Sequence, residues 1–409
     1  MTHQSFPPPP INPFERLHVY DGLMMNSKRW LLAHEYHRRR QNVHYQSLNQ
    51  PGIVWGLGVR LIDPPAEAAA QFRDGRWVEI QPGIAIDVEG NPIVVDAAID
   101  RKFRIATAAP LTGSLTVYLV VSYVDPYNPD RQQNSELLRE WIRFDERTTP
   151  PEDHQVELCR IQLQLQPGIV KLEKPSDVLF PEPNQLDLRY RMQAKARPQA
   201  VVKVAQMKQN EADYDNARKK LSNKIEENIS YLMKSVAALY PSLQGETEIG
   251  KVSLQTPRSV AAYDLLYLAD SQVVEFEEEE IETLRSYLRT GGIVLIDSPS
   301  YNEDYADIII DDIIKGELEI ELKPWQKLER ENPLRSQPFL FAGLPNINQQ
   351  QIELWSGDGV ILVRGALSSA WGLDEEYLRD RNEIRTAQEL GINILHLAWR
   401  RRQITQLMQ

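Results

Sequence analysis

The spacing of apolar residues changes twice along this chain, and each change marks a boundary. Phe6 to Pro13, FPPPPINP, shows no apolar period and predicts an extended polyproline II arm. The stretch MNSKRWLLAHEYHRRRQNVHYQSL then takes a helical period. On a helical projection Trp30, His34, His37, Gln41, His44 and Leu48 fall within about 80° of one another. Leu32, Tyr36 and Val43 form a second, adjacent stripe, so this helix is expected to be covered on two sides, with Arg38, Arg39 and Arg40 projecting elsewhere. Asn26 or Ser27 suits its N-cap, and Gln50-Pro51-Gly52 its stop.

From Gly52 to about Arg191 the period shortens to two. Ile84, Ile86 and Val88 alternate ahead of the turn residues EGNP. GSLTVYLVVSYV is nearly continuous in apolar residues and reads as a central strand. VELCRIQLQLQPGIVKL reads as a strand pair around Pro167-Gly168. Short strands broken by Gly and Pro predict an antiparallel sandwich or barrel.

Beyond about Gln193 the period lengthens again. Leu221, Ile225, Ile229, Leu232, Val236 and Leu239 predict a long amphipathic helix that Pro241 ends. Strands are expected at Lys251–Leu254, Tyr263–Leu268, Ile293–Asp297, Gln337–Phe341 and Val360–Val363, with a helix over Glu277–Arg289 and a last helix ending in Arg400-Arg401-Arg402. Alternating strands and helices imply a mostly parallel sheet, doubly wound with helices on both faces. The chain is therefore read as α+β and multidomain. Residues 1–26 form a proline-rich arm, 27–192 a helix plus antiparallel β domain, and 193–409 an α/β domain led by a long helix.

Charge sharpens this picture. The formal net charge of −12 argues against nucleic acid as a partner. Asp264 to Asp312 holds 14 acidic residues against two arginines, so one face of one domain is acidic. The first residues lack the basic start and apolar core of a signal peptide, and no apolar run reaches membrane-spanning length. A cytoplasmic location is expected, and the single cysteine, Cys159, fits a reducing compartment.

Four groups of residues are candidates for chemistry or contact. In open α/β sheets ligands sit beyond the carboxyl ends of the strands, which here carry Asp270, Asp297 and Ser298. These read as capping carboxylates or as a metal or hydrolytic site. This half has no cysteine, one histidine (His396) and no glycine-rich phosphate loop. His34, His37 and His44 share one helical face with Trp30. Two of them could share zinc, but their spacing is not the usual i, i+4, and a packing or subunit face is preferred. Glu277, Glu278, Glu279 and Glu280 suit a helix N-terminus or a dock for a basic partner. Arg38 to Arg40 and Arg400 to Arg402 could meet anionic lipid or an acidic patch.

Two stretches resemble known families. YDGLMMNSKRWLLAHEYHRRRQNVHYQSLNQPGIVWGLGV, the strand pair Val78 to Ile93 with Pro82, Gly83, Asp87 and Gly90, and the closing Asp187-x-Arg189-Tyr190-Arg191 resemble proteins encoded beside phage-tail-like contractile injection systems. YDLLYLAD, FEEEEIETLRSYLRTGGIVLIDS and ELGINILHLAW are similar to an uncharacterised glutamine-amidotransferase-like domain. The resemblance implies a flavodoxin-like second domain without the catalytic cysteine set, hence no enzyme, no cofactor and no metal. It implies a structural part of the baseplate or tail-fibre region, present in several copies of a symmetric assembly, with other baseplate, spike or tail-fibre proteins as partners. The pairing of the two halves is similar to systems anchored at thylakoid membranes, so peripheral membrane contact through the assembly is expected. Two alternatives stay open: a hydrolase or amidotransferase-like enzyme on Asp270, Asp297 and Ser298, and a module binding a small ligand or glycan.

Overall fold

The computed structural model describes residues 13–125, 140–165, 170–207, 216–269, 276–298, 309–373 and 379–408. The chain is mixed α and β and divides into two compact units, Met1–Arg197 and Pro198–Gln409.

The first unit opens with helix α1 (Ser27–Leu48), capped by Asn26, whose Oδ1 accepts the Arg29 N–H at 2.9 Å. Three antiparallel sheets follow. The first joins β1 (Gly52–Gly56), β4 (Gly83–Ile86) and β5 (Pro92–Val95). The second joins β2 (Val59–Leu61), β3 (Trp77–Ile80) and β6 (Lys102–Arg104). The third has four strands in the order β10 (Leu186–Asp187), β9 (Gln155–Gln164), β7 (Ser114–Val124) and β8 (Trp141–Arg147). Their inner faces share one core that includes Ile53, Val78, Ile93, Val121 and Ile161. The apolar run 115–124 is the central strand β7, as its continuity predicts.

Two details of the β reading need correction. Pro167-Gly168 lies outside the described residues; residues 170–172 beyond it form no strand, and β10 takes the edge of β9. The alternation of Ile84 and Ile86 is also broken. Ile84 faces outward while Ala85 and Ile86 are buried. Gly83 explains this, because a Cβ there would lie 2.4 Å from the Trp55 carbonyl oxygen and the Leu57 nitrogen. The inward face of β4 is thus built from the smallest residues, and the large one turns out.

Helix α1 buries no residue. The Asn42 side chain donates to Asn91 Oδ1 at 2.7 Å and Gln46 to the Val88 carbonyl at 3.1 Å, which seats one flank on the β4–β5 hairpin. Gly90, at φ +80°, lets the hairpin approach: a Cβ there would meet the Asn42 carbonyl oxygen at 2.3 Å. The other flank carries Tyr36, edge-on to Phe14 at 6.4 Å. Between these flanks the stripe from Trp30 to Leu48 is exposed, so the expected two-sided cover leaves one face bare.

In the second unit the short strands β11 (Ala200–Val202) and β13 (Leu243–Gly245) pair in parallel. The main sheet contains β12 (Val204–Met207), β14 (Gly250–Val252), β15 (Leu265–Ala269), β16 (Ile293–Ser298), β17 (Lys323–Pro324), β20 (Glu353–Gly357) and β21 (Val360–Arg364); the hairpin β18 (Asn346–Ile347) and β19 (Gln350–Gln351) stands apart. Its order is β14-β12-β15-β16-β21-β20-β17. The first five strands are parallel, and β20 and β17 extend the edge antiparallel.

The helices are α2 (Asn216–Leu239), α3 (Pro257–Val260), α4 (Glu278–Arg289), α5 (Pro333–Ser336) and α6 (Arg381–Leu407). Successive residues of the central strands enter opposite cores. Leu265, Tyr267, Ile293, Leu295, Ile361 and Val363 pack with α2 and α6. Leu266, Leu268, Val294, Ile296, Val360 and Leu362 pack with α4. Each such side chain contributes about 1.5–3 kcal/mol on burial. The strand expected at Gln337–Phe341 is absent. Asn393, fully buried on α6, donates to the carbonyls of Leu334 and Phe339 and accepts the Phe339 N–H, so that segment's backbone bonds to a side chain instead of a strand.

Where α6 crosses α2, Gly391 sets the approach: a Cβ there would lie 2.8 Å from the Leu232 side chain and 2.9 Å from Trp371 Nε1. Gly391→Val is expected to destabilise the second unit by about 1–3 kcal/mol through overpacking. Urea unfolding followed by tryptophan fluorescence measures it; an unchanged midpoint would remove the crossing from the account of this core.

Candidate functional site

Asp297 lies at the carboxyl end of β16, beside Val363 of β21. After β21 the chain turns through Gly365 (φ +118°) and Ala366 (φ +55°), a left-handed pair that folds Leu367 and Ser368 back over the strand ends. The Asp297 carboxylate accepts the Leu367 N–H at 3.1 Å, the Ser368 N–H at 2.9 Å and the Tyr267 hydroxyl at 3.1 Å. The Ser298 carbonyl accepts the Gly365 and Ala366 N–H groups at 2.9 and 3.1 Å. Asp297 and Ser298 are each 2% exposed. Burial pushes the Asp297 carboxyl above the ordinary value of 3.8, and the bonds from Ser368, Tyr267 and Leu367 pull the other way. This arrangement does the work of a cap: it satisfies backbone donors that the turn would otherwise bury unpaired. Asp270 lies outside the described residues.

His396 is 8% exposed on α6, its ring 5.9 Å from Tyr240 and 5.6 Å from Trp399. Burial, with the nearby Arg400, lowers its pKa below 6.5. It is a packed histidine.

Of the arginines at 400–402, the last two bond the backbone of their own unit. Arg401 donates to the carbonyls of Leu288 at 2.9 Å and Asp358 at 3.2 Å. Arg402 donates to the carbonyls of Ala261 and Tyr263 and lies 3.7 Å from Asp264. Arg400 donates to Gln337 Oε1. Arg401 and Arg402 thus cap carbonyls at the end of α4 and in two loops, and Arg400 is the exposed member of the triplet.

Of the four glutamates, Glu277 and Glu280 form a capping box on α4, with the Glu277 N–H donating to Glu280 Oε2 at 3.2 Å. Such a box is worth about 1 kcal/mol. Glu280 is buried, and Glu277, Glu278 and Glu279 stay exposed at the positive end of the helix dipole.

On α1, Trp30, His34, His37 and His44 are exposed. Among the described residues no group of three His, Cys, Asp or Glu side chains is placed to hold a metal. Arg38 is turned inward, 3.0 Å from Glu35 and 3.6 Å from Asp125, while Arg39 and Arg40 face solvent. A groove of about 410 Å³ runs beside the helix, lined by His34, His37, Gln41, Asn91, Pro92 and Tyr123 among others.

Two features escaped the sequence reading. A bulge between Ile53 and Trp55 turns both Val54 and Trp55 outward, and Trp55 then pairs across to Ile84 and Ile84 to Val94. The result is an exposed apolar row over three strands, with Trp55 67% exposed. Two consecutive apolar residues ahead of Gly56 are the only sequence signal. The second is the structural role of the closing Asp187-x-Arg189-Tyr190-Arg191, which the sequence marked only by resemblance. Asp187 holds Arg189 through two bonds of 3.0 and 2.8 Å. The Arg160 guanidinium lies 3.7 Å from the centre of the Tyr190 ring, and Arg191 donates to the Gly56 carbonyl at 2.6 Å. The motif is a clip that ties the end of β10 to β9 and β1.

Comparison with known proteins places this geometry in context. A family model described as a domain of unknown function (DUF4159) matches residues 203–398. No curated protein matches the chain. Among solved structures, a chain of the baseplate complex from the type VI secretion system is similar, with a TM-score of 0.26 and 10% identity over 56% of this chain and 75% of that one.

Asp297→Ala leaves the Leu367 and Ser368 N–H groups without their acceptor, while the Tyr267 hydroxyl keeps Ser368 Oγ at 2.9 Å, and is expected to cost about 3 kcal/mol in denaturant unfolding of the second unit. A loss below 1 kcal/mol would mean that the cap is not structural. His396 carries its own pH signature. Its folded pKa is lowered, so the unfolded chain binds the extra proton between that value and 6.5. Its contribution is complete above 6.5 and is lost on acidification through that window. The stability difference between wild type and His396→Gln is expected to shrink as pH falls from 6.5, and a difference independent of pH would contradict the burial argument.

Proposed function

We propose that this chain is a structural component of a contractile injection system, at the baseplate or its periphery, and that it works by assembly without catalysis. The observation that carries the reading is the apolar surface of the first unit. Helix α1 buries nothing, and Val54, Trp55, Ile84 and Val94 lie open on the neighbouring sheet. Contiguous apolar surface of this kind marks protein–protein contact. It falls within residues 14–191, the stretch that resembles proteins of these systems.

The second unit supports the same reading from the other side. Its five parallel strands run in the order 2-1-3-4-5, which supports a flavodoxin-like reading of the unit. Its likeness to amidotransferase-like domains is therefore one of architecture in this proposal. Asp297, the best-placed acid, spends its oxygens on the unit's own turn. The unit would act as an extension that presents the acidic end of α4 to another component. In a thylakoid-anchored particle it would hold the particle in place. No helix among the described residues is long and apolar enough to cross a membrane, so any such contact would run along a surface or through partners.

The test is affinity purification of the tagged protein from its native cells, with electron microscopy and mass spectrometry of the eluate. Sheathed tail-like particles with tube, sheath and baseplate proteins in fixed ratio are the expected result; a lone protein or a small metabolic complex would overturn the proposal. Deleting residues 1–13, which leaves Phe14 against Tyr36 and the Asn26 cap in place, is expected to lower incorporation into those particles while leaving the melting temperature of each unit unchanged. Normal incorporation would exclude the arm from assembly.

A further inference from the structure

The exposed stripe on α1 has a second regularity. Trp30, His34, His37, Gln41, His44 and Leu48 are spaced 4, 3, 4, 3 and 4 residues apart, and all six are exposed. That is a strict heptad seam, alternating the two inner positions of a coiled coil. A straight helix drifts by roughly 20° per heptad against such a repeat, so a seam kept from Trp30 to Leu48 fits another helix lying nearly along it. Among the described residues the unit supplies no such helix: α1 is seated through Asn42 and Gln46 on one flank and Tyr36 on the other.

We infer that the occupant is α1 of a second copy of this chain, packed in parallel about a symmetry axis along the seam. This deepens the assembly reading and rests on it. The argument for a second copy is chemical. Histidine and glutamine each donate and accept, so identical residues facing one another in a layer satisfy each other. Trp30 and Leu48 close the two ends with apolar layers. Polar inner layers set register and copy number at a cost in stability, which suits a subunit that must assemble in one arrangement.

The charges choose the direction. In a parallel pair the flanking positions bring Arg40 of one copy beside Tyr45 of the other, and Ala33 beside Arg38. An antiparallel pair in the register that matches all six layers would set Arg38 against Arg38 and Arg40 against Arg40. Arg40 already stacks 5.8 Å from the centre of its own Tyr36 ring, which shows its fit to an aromatic face.

The test uses the full chain in analytical ultracentrifugation at micromolar concentration. Wild type is expected to sediment as an oligomer, and the double variant His37→Glu with Gln41→Glu to raise its dissociation constant by ~100-fold, since like charges would be forced together out of water. Both residues are exposed in a single copy, so circular dichroism melts of the variant should match wild type. Direction is read by oxidising Gln41→Cys. A parallel seam gives a disulfide between identical positions of two copies, while Arg39→Cys, facing away from the seam, stays unlinked. The native Cys159 is buried and does not interfere. A monomeric wild type, or an oligomer untouched by the double variant, would overturn the inference. So would cross-linking of Arg39→Cys in place of Gln41→Cys. A monomer that still copurifies with sheathed particles would sink the seam and leave the assembly reading standing; an oligomer never found with particles would do the reverse.

Discussion

A β-strand buried on both faces needs a cover on each, and in the second unit this demand sets almost everything else. Strand β16 is buried along its whole length. One face needs α2 and α6, and the other needs α4. Because α6 must come close, its contact point with α2 is a glycine. Because the strands end inside the protein, the backbone that turns away from them must find partners there. Asp297 and the arginines of α6 are those partners, so the polar residues of this unit mostly serve the burial of its apolar ones. The same residue types would build an active site if they faced a cleft, and here they face the protein's own backbone.

The first unit solves a different problem. Its sheets have three or four strands, and together they close around a single core. The inner faces account for Ile53, Val78 and Ile93. On the outer faces Val54, Trp55, Ile84 and Val94 stay exposed, as do Trp30 and Leu48 on α1.

Local periodicity made α1, α2, β7, β15 and β16 legible, because each carries its pattern in adjacent residues. What the sequence hid depends on distant partners. The donors to Asp297 come from residues 70 and 71 positions away. The acceptors of Arg401 are up to 113 positions away, so three consecutive arginines looked like a free basic patch. The outward turn of Val54 and Trp55 follows from a bulge that exists only against β4. Gln337–Phe341 has the apolar content of a strand, but its backbone is claimed by Asn393 on another helix. At the candidate site, residue identity was visible and residue orientation was not.

Cys159 is fully buried in β9, and burial pushes its thiol up to about 12. A buried thiol with so little thiolate is inert to labelling until its surroundings open. It is also the chain's only cysteine, and it belongs to the first unit alone. The protein therefore carries a built-in reporter: the rate at which a thiol reagent reacts with native protein reads the opening of the first unit, whatever the second is doing.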